Sequence, residues 1–515
     1  MNFLDKLLAH FNLTHEQYEE LSRPIDEVSL IDPDSIEGMA KTKERILKAI
    51  KNQEKIIIYG DYDCDGICAT SIMAKTFQML GYPVSYFIPS RYIDGYGLNV
   101  NNVMKIKDNG FSLIITVDNG ISAHEAIDKA NELGMDVIVV DHHEVPPEPV
   151  KAYSVIHPIV SHISDIVGSG GYMSLFVSAS LLGKYDPYLV TLAGLSTISD
   201  LMELRGYNRD VVRLALHNFK RYNYLPLRYL LDNEIINEKS FSLGIAPKIN
   251  AIGRMKEDTS VNRLVKYLTS VDEKEIYALS QWILEVNEER KMFTKEAVDT
   301  LPLRGEEAGI CILTDMKEGL IGLVANRLLN EHNVPTIIFT PDSSDPSIIK
   351  GSIRSKEGFN VTKAFESLNK YLLTGGGHAM AGGLSIKKDN FEAFREDFIK
   401  LAEKYSLVEE KEDTIAISIN DISFANYETL CSLAPFGMGF KEPSFEIDDL
   451  PTRGLTFISF GKHLSTKLSM NTKLLGFNMA EGEVKSHPLI NIIGNFNLSE
   501  FKGYQTLEFR ISKYN

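Results

Sequence analysis

Three short acidic clusters, each directly after an uninterrupted apolar run, constrain this chain more than any other feature of its first 150 residues. Asp61-Tyr62-Asp63-Cys64-Asp65-Gly66 follows residues 55–59, Val117-Asp118-Asn119-Gly120 follows residues 113–116, and Asp141-His142-His143-Glu144 follows residues 137–140. Short β-branched runs alternating with helical patterns describe parallel strands buried on both faces, and open α/β sheets hold ligands just beyond the carboxyl ends of such strands. All three clusters are therefore expected to face one crevice. Five aspartates and two imidazoles gathered there would repel one another and lose hydration unless cations neutralised them. Oxygen and imidazole donors suit Mn²⁺ or Mg²⁺ better than a thiolate-seeking metal, so the pattern predicts a two-metal hydrolytic site.

The rest of the composition narrows the setting. A chain of 515 residues with 44% hydrophobic and 24% charged residues is long enough for two to four globular domains. No apolar stretch approaches the ~20 residues of a membrane span, and Met1-Asn2-Phe3-Leu4-Asp5-Lys6 is too charged for a secretory signal. A cytoplasmic location without a membrane partner is the expectation. The four cysteines, Cys64, Cys68, Cys311 and Cys431, form no CxxC pair and read as packing residues in a reducing compartment. A net charge of −16 runs against a nucleic-acid partner, because phosphate binding normally leaves a basic footprint. Its distribution weakens that objection: residues 451–515 hold eight Lys/Arg and four Asp/Glu, a net of +4, which leaves −20 for the preceding 450. Part of that acidity lies in the clusters, where bound cations would offset it.

Along the chain, five stretches are expected. Residues 1–45 read as a helical lead-in broken by Pro24 and Pro33, and residues 46–270 as a parallel α/β sheet domain followed by mostly helical sequence. That second part contains Leu192-Ala193-Gly194-Leu195-Ser196-Thr197-Ile198-Ser199-Asp200, one more acid after an apolar stretch. In residues 271–300, Ile276, Leu279, Ile283 and Val286 stand at 3-4-3 spacing, the stripe of a long connecting helix packed on one side. Residues 301–405 read as a second, smaller α/β unit ending near a glycine cluster, and residues 412–515 as a C-terminal β-barrel.

Several motifs in this order carry a resemblance. Gly60-Asp61-Tyr62-Asp63-Cys64-Asp65-Gly66, Asp141-His142-His143, Pro89-Ser90-Arg91-Tyr92 leading to Gly95-Tyr96-Gly97-Leu98, and Gly375-Gly376-Gly377-His378-Ala379-Met380-Ala381-Gly382-Gly383 together resemble the DHH phosphoesterase superfamily. Within it they look like the RecJ family of single-strand-specific exonucleases. Pro247-Lys248-Ile249-Asn250-Ala251-Ile252-Gly253-Arg254, Asn287-Glu288-Glu289-Arg290 and Ala434-Pro435-Phe436-Gly437-Met438-Gly439 extend the match. The resemblance implies a DHH catalytic domain, a connecting helix, a DHHA1 substrate-binding domain and an OB-fold. Two departures stand out: Cys64 occupies a place where the family usually has a small residue such as Ala, and residues 156–172 match its pattern poorly.

By the same resemblance, Asp61, Asp63, Asp65, Asp118, His142 and Asp200 would hold two Mn²⁺ ions, with Mg²⁺ a possible substitute and Asp118 bridging. Asp63, Asp65, Asp118, His142, His143 and Asp200 form the implied catalytic set, His143 facing the scissile phosphate and Asp141 orienting a histidine. Arg91, Asn250, Arg254, Arg354, Ser355, Gly376, Gly377 and His378 are the implied substrate contacts. Taken singly, most motifs have plainer readings: a DxDxD as a solvated turn or a lone Mg²⁺ loop, Asp118-Asn119-Gly120 as a turn, the glycine run as a flexible loop. Phe457, Lys462, His463, Lys467, Phe501, Lys502 and Tyr504 would suit single-strand tracking, or the aromatics would fill a barrel core. The implied activity is single-stranded-DNA-specific 5′-to-3′ exonuclease action releasing mononucleotides, in DNA repair and recombination. The alternative is a DHH phosphodiesterase acting on short oligonucleotides or cyclic dinucleotides. The expected partner is single-stranded DNA, with single-strand-binding protein or a helicase as candidate protein partners and the chain itself a monomer.

Overall fold

The computed structural model describes residues 2–25, 30–163, 167–232, 235–256, 259–303, 308–405, 413–501 and 503–515. After the helices α1 (Phe3–Phe11), α2 (His15–Ser22) and α3 (Met39–Lys51), the apolar runs become strands. They are β1 (Ile56–Tyr59), β2 (Ser85–Phe87), β3 (Leu113–Val117), β4 (Asp136–Val140) and β5 (Ser154–Ile156), all parallel in the order β2-β1-β3-β4-β5. The three central strands are buried almost throughout, as their lack of polar alternation requires. Crossover helices α4 (Cys64–Met79), α5 (Val100–Asp108) and α6 (His124–Glu132) leave the carboxyl ends of β1, β3 and β4, with their acidic clusters, on one edge of the sheet.

Helices α7 (Gly170–Leu182) and α8 (Pro187–Ser199) are apolar on every side, and both are enclosed, packing on α4. Helices α9 (Gly206–Arg221), α10 (Leu225–Arg228), α11 (Ala246–Met255) and α12 (Asn262–Thr269) complete this helical layer. The connector α13 (Glu273–Thr300) starts where Asp272 caps the N–H groups of Lys274 and Glu275, and it buries the stripe Ile276, Leu279, Ile283 and Val286. At 28 residues it spans ~42 Å.

The second sheet comprises β6 (Ile310–Leu313), β7 (Thr336–Pro341), β8 (Ile348–Arg354), β9 (Leu372–Gly377) and β10 (Ala381–Lys387) in the order β6-β7-β8-β10-β9. Helices α14 (Glu318–His332), α15 (Val361–Ser367) and α16 (Phe391–Ala402) cover it. The glycine cluster is an ordered hairpin here, Gly375, Gly376 and Gly377 pairing with Leu384, Gly383 and Gly382 at the sheet's outer edge.

The last unit is a seven-stranded mixed sheet, β11-β12-β16-β17-β15-β14-β13. Its strands are β11 (Thr414–Ala416), β12 (Ser444–Pro451), β13 (Phe457–Ile458), β14 (His463–Lys467), β15 (Thr472–Gly476), β16 (Leu489–Phe501) and β17 (Tyr504–Tyr514), with α17 (Phe424–Ser432) and α18 (Glu481–Val484). The stretch read as a lead-in divides between two units. Helix α3 joins the core of the first sheet, whereas Phe3 and Leu7 of α1 join the C-terminal core, Phe3 stacking on Phe445 at 5.6 Å and Phe11 on Phe440 at 4.5 Å. Nothing local in residues 1–22 signals that destination. Among the described residues no helix is long and apolar enough to cross a membrane.

Arg209 of α9 joins the first and last units. It is 3% exposed, its guanidinium donates to the carbonyls of Leu433, Ala434 (3.1 Å) and Pro435 (2.9 Å), and it lies 4.8 Å over the ring of Phe440. Burial, with Arg213 nearby, pulls its pKa down to about 10. The N–H of Leu204 donates to the carbonyl of Met438 at 2.8 Å beside it. Removing the guanidinium strands three buried carbonyls, so Arg209→Met should lower stability by about 2–4 kcal/mol. Urea denaturation of the full chain measures this, and an unchanged midpoint would show that the joint is held by something else.

Candidate metal centre

Each acidic side chain owes its aim to a strand end or a helix terminus. Asp61 leaves β1, and Asp63 caps α4, its Oδ1 accepting the N–H of Gly66 at 3.0 Å. Gly66 must lack a side chain, because a Cβ there would lie 2.6 Å from the carbonyl of Asp61. Asp118 leaves β3 in a left-handed conformation (φ 61°), its N–H tied to the carbonyl of Val140 at 2.9 Å. Next to it, Asn119 donates to the carbonyls of Tyr59 and Val117 at 3.2 and 2.9 Å, tying the ends of β1 and β3 together. Asp200 stands at the C-terminal end of α8.

The structure brings all six expected ligands together. His142 Nε2 lies 3.1 Å from Asp118 Oδ1, 3.5 Å from Asp65 Oδ2 and 3.6 Å from Asp200 Oδ2. Potential ligand atoms of Asp61, Asp63 and Asp118 fall within 4.8 Å of one another, as do those of Asp65, His142 and Asp200, and those of Asp118, His142 and His143. Asp118 belongs to two of these groups. Asp61 Oδ1 is buried without a hydrogen-bond partner.

Electrostatics identify what such a site requires. Burial, then the surrounding carboxylates, push Asp61 and Asp118 well above the usual carboxylate range. Asp63 is raised in the same way, and Asp200 is pushed up to about 8 by burial and by Asp65 and Asp63. Burial pulls His142 down and keeps it neutral, the form that can donate a lone pair. Carboxylates so placed either take up protons or meet cations. Oxygen donors, one neutral imidazole and an orphaned buried carboxylate oxygen fit hard divalent ions.

Asp65 depends on residues that the sequence reading passed over. Its carboxylate accepts the N–H groups of Gly170 (2.8 Å) and Gly171 (2.7 Å) at the start of α7 and the hydroxyl of Ser196 on α8. A Cβ on Gly170 would sit 2.5 Å from the Asp118 side chain, and one on Gly171 would sit 2.4 Å from Ser196 Oγ. The only local signal is Ser169, which caps α7 ahead of the two glycines.

Asp141 is fully engaged elsewhere. It accepts N–H groups from Ile121 (2.9 Å), His142 (2.7 Å) and His143 (3.3 Å), and His143 Nδ1 at 2.8 Å. Burial alone would lower His143 and raise Asp141, but their hydrogen bond and opposite charges win, moving His143 up to about 9 and Asp141 down to about 2. His143 is therefore cationic near neutral pH. Its Nε2 points to the hydroxyl of Tyr96 at 3.1 Å, on a strap between Gly95 and Gly97, both at positive φ.

The expected substrate residues fall into three arrangements. Arg91 lies 4.3 Å over the Tyr62 ring with its Nε buried and unpartnered. Arg254 donates to the carbonyl of Gly319 at 3.3 Å, and burial, then Arg91, Arg290 and Arg354 against the pull of Asp63, bring its pKa down to about 10. Arg290, on the connector, joins this group although only its motif drew notice in the sequence. Arg354 is braced by Ser352 Oγ and the carbonyl of Ile353. Asn250 instead accepts the N–H of Cys64 at 2.8 Å, bracing the start of α4. Ser355 is buried, its N–H donating to the carbonyl of Met380 at 2.8 Å. Gly376, Gly377 and His378 lie along the exposed hairpin edge, and a Cβ on Gly377 would meet the carbonyl of Ala381 at 2.4 Å. In the last unit Phe457 is half-buried, His463 accepts the N–H of Asn478 at 2.9 Å, Tyr504 is exposed, and Lys502 lies outside the described residues.

Three family profiles match the chain: the DHH family, N-terminal domain, over residues 55–198, the DHHA1 domain over 308–404, and the RecJ OB domain over 415–513. The single-stranded-DNA-specific exonuclease RecJ of Bacillus subtilis (strain 168) is 33% identical over 496 residues, which cover 91% of this chain and 62% of the relative. The protein of the same description from Dickeya dadantii (strain 3937) is 29% identical, with 84% of this chain and 81% of the relative covered. The chain thus spans less than two thirds of the Bacillus relative's length. The crystal structure of RecJ in complex with Mn²⁺ from Thermus thermophilus superposes with a TM-score of 0.82 at 23% identity, covering 100% of this chain and 76% of that one. Its Mg²⁺ counterpart from the same organism scores 0.77 at 22% identity, covering 99% and 74%.

The raised carboxyl groups have a measurable consequence. Asp200, at about 8, holds a proton at pH 7 in the metal-free protein, and a divalent ion must displace it. Mn²⁺ affinity should therefore rise as pH climbs from about 6.5 to 8.5, with protons released on binding. Titration calorimetry at pH 7 in two buffers of different ionisation enthalpy counts those protons; identical heats would contradict the assignment.

Proposed function

Because the chain belongs to the RecJ family of DHH phosphoesterases, we propose that it is a single-stranded-DNA-specific 5′-to-3′ exonuclease releasing mononucleotides, acting in DNA repair and recombination. The observation that carries this reading is the gathering of Asp61, Asp63, Asp65, Asp118, His142 and Asp200 within one buried crevice, where their repulsion is relieved by protons or by bound cations. Asp61, Asp63 and Asp118 would hold one divalent ion, and Asp65, His142 and Asp200 a second, with Asp118 shared and Mn²⁺ preferred over Mg²⁺. Two such ions supply Lewis acidity toward phosphate oxygens and activate water at neutral pH.

The protein's own groups do the rest. His143, cationic and steadied by Asp141, faces the reacting phosphate and offsets charge on its oxygens or hands a proton to the departing one. Arg91, Arg254, Arg290 and Arg354 form an anion-binding wall that holds neighbouring phosphates in register, as guanidinium forks do well. The open edge of β9 with His378 adds backbone N–H groups free of side-chain obstruction. Residues 451–515 of the C-terminal unit, which carry a net charge of +4, track the strand beyond the crevice. A single-strand-binding protein or a helicase would deliver that strand to the monomer in the cytoplasm.

With Mn²⁺, a 5′-labelled single strand should release its label as mononucleotide before a 3′-labelled strand does, blunt duplex should resist, and Asp118→Ala should abolish turnover while the fold survives. A gel of the products separates this from the alternatives. Prior loss of 3′ label, cleavage confined to dinucleotides, or full turnover by the Asp118→Ala protein would each overturn the reading.

A further inference from the structure

We infer that His157 is a positioning residue that aims His143 at the substrate phosphate, an inference that rests on the nuclease reading above. His157 follows β5, in the stretch 156–172 where the sequence departs from its family's pattern, and its side chain is 1% exposed. Its ring makes two hydrogen bonds of opposite polarity. A backbone N–H can only donate, so the contact from Ile159 N to His157 Nδ1, at 3.1 Å, puts a lone pair on Nδ1 and the proton on Nε2. Nε2 then donates to the backbone carbonyl of His143 at 2.8 Å. The N–H of His157 itself goes to Ser161 Oγ at 3.2 Å, so the imidazole is fixed from its backbone outward.

His143 is thus held from two directions. Asp141 takes its ring Nδ1 and its N–H, and His157 takes its main-chain oxygen on the far side of the residue. With its N–H and ring Nδ1 both on Asp141, the residue could still swing with the peptide that follows it, since the His143 side chain is 44% exposed and its other partner is the half-exposed Tyr96. The second anchor removes that freedom. Neither ring contact of His157 involves His142 or a carboxylate, so metal binding and the aim of His143 are separable. Space filling alone would need neither the donor nor a fixed tautomer.

The test compares two variants of the full chain, loaded with Mn²⁺ and turning over a 5′-labelled single-stranded oligonucleotide. His157→Gln keeps an N–H donor near the place of Nε2, whereas His157→Phe keeps the ring volume and loses the donor. His157→Phe should lose kcat by about 10- to 100-fold at unchanged KM and Mn²⁺ affinity, while His157→Gln stays within about threefold of the unaltered chain. A folded Phe variant at full rate would overturn the inference. So would a Gln variant as impaired as Phe, or a kcat falling in step with Mn²⁺ affinity, which would place His157 with the metal ligands instead. Should the Phe variant not fold, the Gln variant decides alone: kcat retained supports the donor, and kcat lost refutes it. Absence of turnover by the unaltered chain is seen before any variant is compared, and it would count against the nuclease reading itself.

Discussion

Mutual repulsion among carboxylates confined to a largely buried crevice is the constraint around which this molecule is organised. Water at the surface would screen Asp61, Asp63, Asp118 and Asp200 from one another, but their burial removes that screening and drives each toward its neutral form. The fold answers with fixed dipoles where it can. Two N–H groups at the head of α7 and a hydroxyl on α8 fasten Asp65, and three N–H groups and an imidazole fasten Asp141. Asp61 receives no such help on Oδ1, so that oxygen has the strongest call on a cation. The all-apolar character of α7 and α8 follows from the same demand, because the helices that brace Asp65 and carry Asp200 at a largely buried site must themselves be enclosed.

Much of this was legible in sequence because it is local. An apolar run ending in an acid states both a strand and the direction its last side chain faces, so β1, β3 and β4 and their clusters could be placed without knowing their neighbours. The stripe on α13 is equally self-contained. What escaped was non-local. Gly170, Gly171 and Ser196 matter only because their backbone or hydroxyl meets an aspartate more than a hundred positions earlier, and no periodicity records that. The glycine run is ambiguous in the opposite sense. Stripped of side chains, residues 375–377 resemble a flexible loop, yet pairing with β10 orders them, and the same bareness leaves their outer edge open.

The joint between the first and last units ties the C-terminal unit to the helical layer that carries Asp200. Arg209 and Leu204 hold the loop around residues 433–440 against the segment that begins at Asp200, itself a candidate ligand. Severing the C-terminal sheet would therefore expose to water a guanidinium that stands nine residues along the chain from Asp200. The sheet is a structural neighbour of the candidate metal centre, so the proposed strand surface and the proposed chemistry share one joint.

Helix α1 carries a different implication, for the order in which the molecule forms. Phe3 and Leu7 complete a core whose other members begin at Ile415, so about 440 residues of chain separate Phe3 from its stacking partner Phe445. Closing so long a loop costs entropy that local packing cannot offset in advance. Until those strands assemble, the amphipathic helix of residues 3–11 has no place to bury Phe3, Leu7 and Leu8. Helix α1 is made long before the strands it packs against, and in the interval it is exposed hydrophobic surface that a growing chain must keep from wrong partners.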